Sequence, residues 1–325
     1  MPLIERKLDI LIPTCNRSGY VTDLIDTIEK STTSQDKALF GYIVSDNGSD
    51  AKCQTSLSNE LSRYAHRVTL ILNRANIGLE KNAILTLRNS RAEYVMWMGD
   101  DDLPPNGYVS FILRYISNSK NFAMVINGVK PVFSHNQYKH QLHLMRTFNN
   151  HPVQTITLLS DKKKIIQNCL RAHQLSCLVH KRKGVLDLYE ATPTAHGLYL
   201  FISFLFISIQ NASTLYILKG EVIVSKNNYK YWDYGNNHLI ADAFIAFNTN
   251  KNFAKSSGYL IGKISFEFLT KSLGIKKAIK VFIFLILSSE ITIKNKVGAL
   301  MSLIIMLALK LRRVLNKLMP KGNYD

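Results

Sequence analysis

The chain is short of the residues that build irregular or cross-linked structure: 16 glycines, 8 prolines and 4 cysteines in 325 residues. That scarcity excludes collagen-like, disordered and disulfide-scaffold architectures. Cys15, Cys53, Cys169 and Cys177 form no Cys-x-x-Cys pair, so neither a zinc ribbon nor a thioredoxin-type site is expected, and a reducing compartment suits them best. The N-terminus lacks a basic segment followed by a long apolar stretch and a small-residue cleavage site, and does not read as a secretory signal. Long apolar runs are missing too. Gly197–Ile209, Val281–Leu287 and Val297–Leu309 each fall short of the roughly 20 residues that a membrane-spanning helix needs. An integral membrane scaffold is therefore a weak alternative. What remains, at 46% apolar and 20% charged, is ample for a globular protein of about two domains.

Acidic residues thin out along the chain. Residues 1–110 carry 12 basic and 14 acidic side chains, residues 111–254 carry 16 and 6, and residues 255–325 carry 13 and 3. A basic tail calls for a polyanion, either lipid headgroups or nucleic acid. Nucleic-acid binding predicts aromatics interleaved with basic residues or a helical reader, whereas the bulky residues of this tail are aliphatic and Phe in blocks. Such blocks, bracketed by Lys and Arg, fit amphipathic helices lying in a membrane interface. Phe282, Phe284, Leu285 and Leu303 to Leu307 are placed for insertion, and Lys276, Lys277, Lys280, Lys310, Arg312 and Arg313 for anionic headgroups. Packing on the rest of the chain, or an oligomer contact, is the other reading.

In the first third, strands alternate with helices. Leu8–Pro13, Gly41–Ser45, Val68–Leu72 and Tyr94–Met98 read as strands. Between them lie helical segments, such as the one with Val21, Leu24, Ile25 and Ile28 on one face. This alternation predicts a parallel, doubly wound α/β sheet with helices on both faces, in which ligands bind at the carboxyl ends of the strands. The polar runs 14–17, 46–48, 73–76 and 100–102 all fall at such ends. Residues 135–154, with His135, His140, His143 and His151, read as a loop rather than a zinc site. The uncharged stretch 191–218 reads as a buried helix followed by the strand Leu215–Leu218.

The acidic triplet Asp100, Asp101 and Asp102 is the sharpest chemical signal. Three adjacent carboxylates repel one another, and a hard divalent cation bridging to substrate phosphate relieves that repulsion. A solvated turn capping the next helix is the alternative. Either way the triplet is expected to face the surface, outside the core.

Four motifs, at 8–17 (Leu-Asp-Ile-Leu-Ile-Pro-Thr-Cys-Asn-Arg), 42–50 (Tyr-Ile-Val-Ser-Asp-Asn-Gly-Ser-Asp), 76–82 (Asn-Ile-Gly-Leu-Glu-Lys-Asn) and 93–102 (Glu-Tyr-Val-Met-Trp-Met-Gly-Asp-Asp-Asp), resemble family-two glycosyltransferases of the GT-A fold in order and spacing. The flavour is similar to the abequosyltransferase-like branch, which builds bacterial O-antigen. The resemblance implies nucleotide-sugar contacts at Pro13, Thr14, Asn16 and Arg17, a nucleobase acceptor at Asp46, and nucleotide or diphosphate contacts at Asn76 and Lys81. In the DxD motif it implies a ribose-side Asp100 and metal ligation by Asp101 or Asp102, with the register between them open, and Mn²⁺ or Mg²⁺ as cofactor. The resemblance covers roughly residues 8–130; with the charge distribution it gives a GT-A domain over residues 1–254, with a donor half (1–130) and an acceptor half (131–254), followed by the helical region 255–325. Arg17 and Lys81 as plain surface cations, and Asp46 as a turn cap, are the structural alternatives.

An inverting transferase also needs a general base. Where the family often places an acid, this sequence has His196, with Asp187, Glu190 and Asp233 as other candidates. Asn227, Asn228, Tyr231 and Trp232 are candidates for an acceptor pocket. The acceptor implied is a polyprenyl-diphosphate-linked saccharide, met by a peripheral enzyme on the cytoplasmic face of the bacterial inner membrane.

Overall fold

A computed structural model describes residues 6–118, 121–132, 137, 153–157, 161–173, 175–191, 200–212, 214–225, 244, 246–270, 275–289 and 291–318. The first third folds as its hydrophobic pattern dictates. Strands β1 (Leu8–Thr14), β2 (Phe40–Asp46), β3 (Val68–Leu72) and β4 (Tyr94–Trp97) pair in parallel in the order β3-β2-β1-β4. β1, β2 and β4 are buried along their whole length, as near-continuous apolar runs in a parallel sheet require. Helices α1 (Ser18–Ser31), α2 (Ser34–Lys37), α3 (Ala51–Leu61) and α4 (Leu79–Asn89) connect them, and Asp50 caps α3 by accepting from the Cys53 N–H at 2.8 Å.

Beyond β4 the sheet becomes mixed. β5 (Asp102–Leu103), α5 (Tyr108–Asn118), β6 (Phe122–Val132), β7 (Val153–Thr157), α6 (Lys162–Cys169), β8 (Leu178–Lys181), α7 (Val185–Glu190), α8 (Leu200–Asn211) and β9 (Thr214–Ser225) follow in chain order. β8 is antiparallel to both β4 and β6, and β6 runs parallel to β9. The far edge of β9 is shared by β7 and β5, both antiparallel to it, which completes a nine-stranded sheet among the described residues.

Alternate residues of β1 feed two cores, as the period of a strand demands. Ile10 and Ile12 pack on one face with Leu24 and Ile28 of α1, Leu57 and Leu61 of α3, and Ile112 of α5. Leu11 faces the opposite layer, which holds α4, α6 and α8. The uncharged α8 is buried from Leu200 to Ile209 and supplies Phe201 and Phe204 against Trp97, so the buried-helix reading of this stretch holds. Within this core the Trp97 Nε1–H donates to His180 Nε2 at 2.9 Å, and burial pushes the His180 imidazole down to about 4.

The chain continues as α9 (Lys251–Thr270), α10 (Ile275–Leu287) and α11 (Ile293–Leu318). Their inner residues, including Ile261, Phe266, Leu285 and Leu303, join the α4–α8 core. α9 and α11 cross at glycines: a Cβ on Gly262 would stand 2.0 Å from the Asn295 carbonyl, and one on Gly298 2.1 Å from that of Tyr259. No described helix is long and apolar enough to cross a membrane.

Candidate active site

The strand order reverses direction between β1 and β4, so the crevice outside their carboxyl ends is where a ligand binds in such a sheet. β1 ends in Pro13 and Thr14, both buried, and β4 runs through Gly99 into the acidic triplet. The two ends are tied together: Thr14 Oγ1 donates to Asp100 Oδ2 at 2.7 Å, and Arg17 Nη1 lies 2.9 Å from both Asp100 Oδ1 and Asp101 Oδ2. Arg17 thus bridges two of the three carboxylates.

The triplet does not face the surface as a unit, which corrects that expectation. Asp100 and Asp102 are buried, and Asp101 is the most open at 23% side-chain exposure. Asp102 turns inward as the first residue of β5, where its carboxylate accepts from Ser176 Oγ. Ser176 Oγ in turn accepts from the Gly99 N–H at 2.8 Å. Burial, and then the charges of Asp100 and Asp102, raise the Asp101 carboxyl to about 8 against the opposing pull of Arg17. The edge therefore holds more negative charge than Arg17 alone balances.

Loops from β2 and β3 build the neighbouring wall. Asp46 ends β2 fully buried, and its carboxylate accepts from the Ser49 N–H at 3.0 Å, from Ser49 Oγ and from Gln54 Nε2 at 2.8 Å. The turn-capping role of Asp46 is thus realised in the fold. Asn16, in the left-handed region at φ 55°, binds the β2–α3 loop through its N–H to Ser49 Oγ (2.6 Å), while its Oδ1 accepts from the Asp50 N–H (3.0 Å). Asn76 Oδ1 accepts from Asn47 Nδ2 and the Gly78 N–H, both at 2.9 Å, and so joins the β2 and β3 loops. Gly48, at φ 69°, is required between them: a Cβ there would stand 2.2 Å from the Ala75 carbonyl carbon. Lys81 is exposed on the first turn of α4, beside this wall.

The structure therefore gathers Pro13, Thr14, Asn16, Arg17, Asp46, Asn76 and Lys81 with Asp100 to Asp102 along one sheet edge. Ser176 joins them unannounced. It lies 74 residues from Asp102, with no charge or motif of its own, and reaches the edge because β8 pairs antiparallel with β4. Cys177, beside it, is held at φ 66° and donates its N–H to the Trp97 carbonyl at 2.8 Å.

Of the candidate bases, Glu190 pairs with Arg88, at the end of α4 away from the carboxyl edge, and Asp187 is exposed on α7. His196, Asp233, Asn227, Asn228, Tyr231 and Trp232 lie outside the described residues, as do the four loop histidines.

The described residues hold no ready cluster of three metal-ligating side chains. Asp101, with Asp100 and Asp102 beside it, still fits a hard divalent cation as a partial site: its donors are carboxylate oxygens and its negative charge is in excess. Mg²⁺ and Mn²⁺ are commonly held by one or two carboxylates, with substrate phosphates and water filling the remaining positions.

Comparison with known proteins identifies the family and the fold. The profile of glycosyl transferase family 2 matches residues 9–177, just over half of the chain, from β1 through Ser176. A Haemophilus influenzae protein described as an uncharacterized glycosyltransferase is 24% identical over 123 residues, which is 38% of this chain and 39% of that relative's length. Among solved structures, residues 1–349 of S. aureus TarS align over 86% of this chain and 79% of theirs, with 14% identity and a TM-score of 0.56. TarS 1–349 in complex with UDP-GlcNAc aligns over the same shares, with a TM-score of 0.57. These likenesses establish a GT-A-like fold.

Proposed function

The chain belongs to glycosyl transferase family 2, and from that premise we propose that it is a metal-dependent enzyme. It moves a sugar from a nucleotide diphosphate sugar to a saccharide acceptor, with inversion at the anomeric carbon. The observation that carries this reading is the Arg17 bridge across Asp100 and Asp101, at the point where the sheet reverses its strand order. The donor half is assigned to residues 1–130 and the acceptor half to residues 131–254.

In this reading the loops of Asp46 and Asn76 receive the nucleoside, with Asn16 and Pro13 shaping its floor, while Arg17, Thr14 and Lys81 face the diphosphate. Asp101, assisted by Asp100 or Asp102, holds Mn²⁺ or Mg²⁺. When held there, the cation would supply positive charge to the diphosphate leaving group. Arg17 adds a second positive charge where negative charge grows as the glycosidic bond to phosphate breaks. His196 takes the proton from the acceptor hydroxyl while that oxygen bonds to the anomeric carbon from the opposite face. The acceptor is a polyprenyl-diphosphate-linked saccharide, the process is bacterial surface polysaccharide synthesis of the O-antigen kind, and the enzyme is peripheral on the cytoplasmic face of the inner membrane. The basic, apolar helices α9–α11 support that placement.

The test is transfer itself. Purified full-length protein is incubated with Mn²⁺, bacterial lipid extract and a panel of radiolabelled nucleotide sugars. Label from one donor is expected to move into the butanol-extractable fraction, and EDTA is expected to stop it. Transfer undiminished by EDTA overturns the metal assignment, and label appearing only in water-soluble acceptors overturns the lipid-linked one.

A further inference from the structure

The helical region presents an outer surface that no single stretch of sequence displays. α10 exposes Ile279, Ile283, Ile286 and Leu287, one stripe at i, i+4, i+7 and i+8, while Ala278, Val281 and Leu285 on its other side are buried. α11 repeats the pattern, with Ile293, Val297, Leu300, Met301, Ile304 and Ile305 outside and Ala299 and Leu303 inside. At the tip where the two helices meet, the aliphatic pair Leu287 and Ile293 is left in water, 78% and 79% exposed, while Glu290, between them in sequence, lies outside the described residues.

Lysines from three separate elements frame this tip. Lys162, at the start of α6, donates to Ser256 Oγ on α9 at 2.7 Å. Lys294 of α11 donates to the Lys255 carbonyl of α9 at 3.2 Å, and Lys296 donates to the Ile286 carbonyl of α10 at 2.7 Å. These contacts join α6, α9 and the α10–α11 turn into one continuous face, so lysines nearly a hundred residues apart in sequence act together. Among the described residues of these elements and their caps the acidic groups are Asp161, paired with Lys164 at 3.3 Å, and Glu267, about 18 Å further along α9 than Lys255 at the helical rise.

We propose that this face docks the protein on an anionic phospholipid bilayer. Ile286, Leu287 and Ile293 enter the acyl boundary, and Lys162, Lys255 and Lys294 meet the headgroup phosphates. Charge complementarity selects this occupant. A second copy of the chain, related by a two-fold axis, would set the same lysines against each other. A nucleic acid would satisfy the lysines and leave the aliphatic tip in water. A bilayer satisfies both, and the amphipathic helices are suited to lying in the interface rather than crossing it. The inference deepens the membrane placement proposed above and rests on that reading only for the value of sharing a surface with a lipid-linked acceptor.

The test uses the full-length chain and vesicles of phosphatidylcholine, with or without an equal part of phosphatidylglycerol, followed by co-sedimentation. Binding is expected with the anionic vesicles only, and to weaken with salt. Leu287→Ser with Ile293→Ser is expected to lower it by about tenfold or more. Lys162→Glu, Lys255→Glu and Lys294→Glu together are expected to lower it by about a hundredfold, since each lysine near such a surface is worth about fivefold. All five positions are exposed, and unchanged melting temperatures serve as the check on folding. Metal-dependent stabilisation by donor, measured on the same variants, reads the catalytic edge separately and is expected to be unchanged. If no donor stabilises the wild type while the vesicle results stand, the transferase reading fails and this surface does not. Equal binding to neutral vesicles, or variants that bind like wild type, overturns the surface. So does a change of oligomeric state in the Leu287/Ile293 variant, or nuclease-sensitive binding.

Discussion

The carboxyl edge of β1, β2 and β4 and the outer face of α10 and α11 break the usual partition of polar and apolar groups in opposite directions. At the edge, carboxylates are buried and answered from within the chain: Asp100 by Thr14 and Arg17, Asp102 by Ser176, Asp46 by Ser49 and Gln54. On the outer helices, aliphatic side chains stand in water with lysines around them and meet no such answer. Buried charge is legible from inside the molecule because its partners are covalently present. The exposed apolar face points to a partner that is a separate body.

The sharpest way to break this comparison is at Asp101, the most open of the three carboxylates. Asp101→Asn is expected to lower transfer by on the order of a thousandfold with little change in melting temperature, measured by initial rates and calorimetry side by side. A variant that unfolds instead would place Asp101 with the structural carboxylates.

The second test is thermodynamic and lies in the core between the two regions. His180 is buried and neutral, with its pKa lowered to about 4 from 6.5. The unfolded chain therefore binds a proton between these values that the folded chain does not. The His180 contribution is complete above pH 6.5 and is lost as pH falls toward 4, by on the order of 3 kcal/mol at most. Denaturant unfolding across this window is expected to show the loss, and His180→Gln is expected to flatten it.

Ser176 sharpens the reading of the edge. Ser176→Ala removes the donor to the buried Asp102 and the acceptor for the Gly99 N–H, and is expected to cost about 2 kcal/mol of stability. Activity would fall with it, because the triplet loses its floor. The smallest effect, read on ground-state binding alone, is expected from Arg17→Gln, which should weaken donor binding about tenfold, in line with the loss of one charge-assisted contact, while strengthening binding of Mn²⁺ alone, since the carboxylates lose their internal cation. Calorimetric titration of nucleotide and of metal separates the two signs.

Much of the donor half was legible in sequence because its signals are local. The stripe Val21, Leu24, Ile25 and Ile28 predicted α1, the apolar runs predicted β1, β2 and β4, and the polar strand ends marked the edge. What stayed hidden is set by long-range pairing. Asp102 reads as one of three equivalent carboxylates until β5 pairs with β9 and turns it toward Ser176. The α10 and α11 blocks were legible as amphipathic, but which side faces outward was not: Leu285 and Leu303, read from sequence as available for insertion, lie in the core, and Ile283, Ile286 and Leu287 stand outside. The share of Lys162 in that outer face depends on α6 packing against α9, which no local pattern encodes.

The central claim is that the carboxyl edge binds a nucleotide sugar through a divalent cation, and the most direct measurement is unfolding free energy with a panel of donors in Mn²⁺ or EDTA. With the right donor at a hundred times its dissociation constant, the wild type is expected to gain about 2.7 kcal/mol in Mn²⁺. The gain should vanish in EDTA and in Asp101→Asn. Stabilisation of the same size in EDTA or in the variant, or none from any nucleotide sugar, would contradict the account.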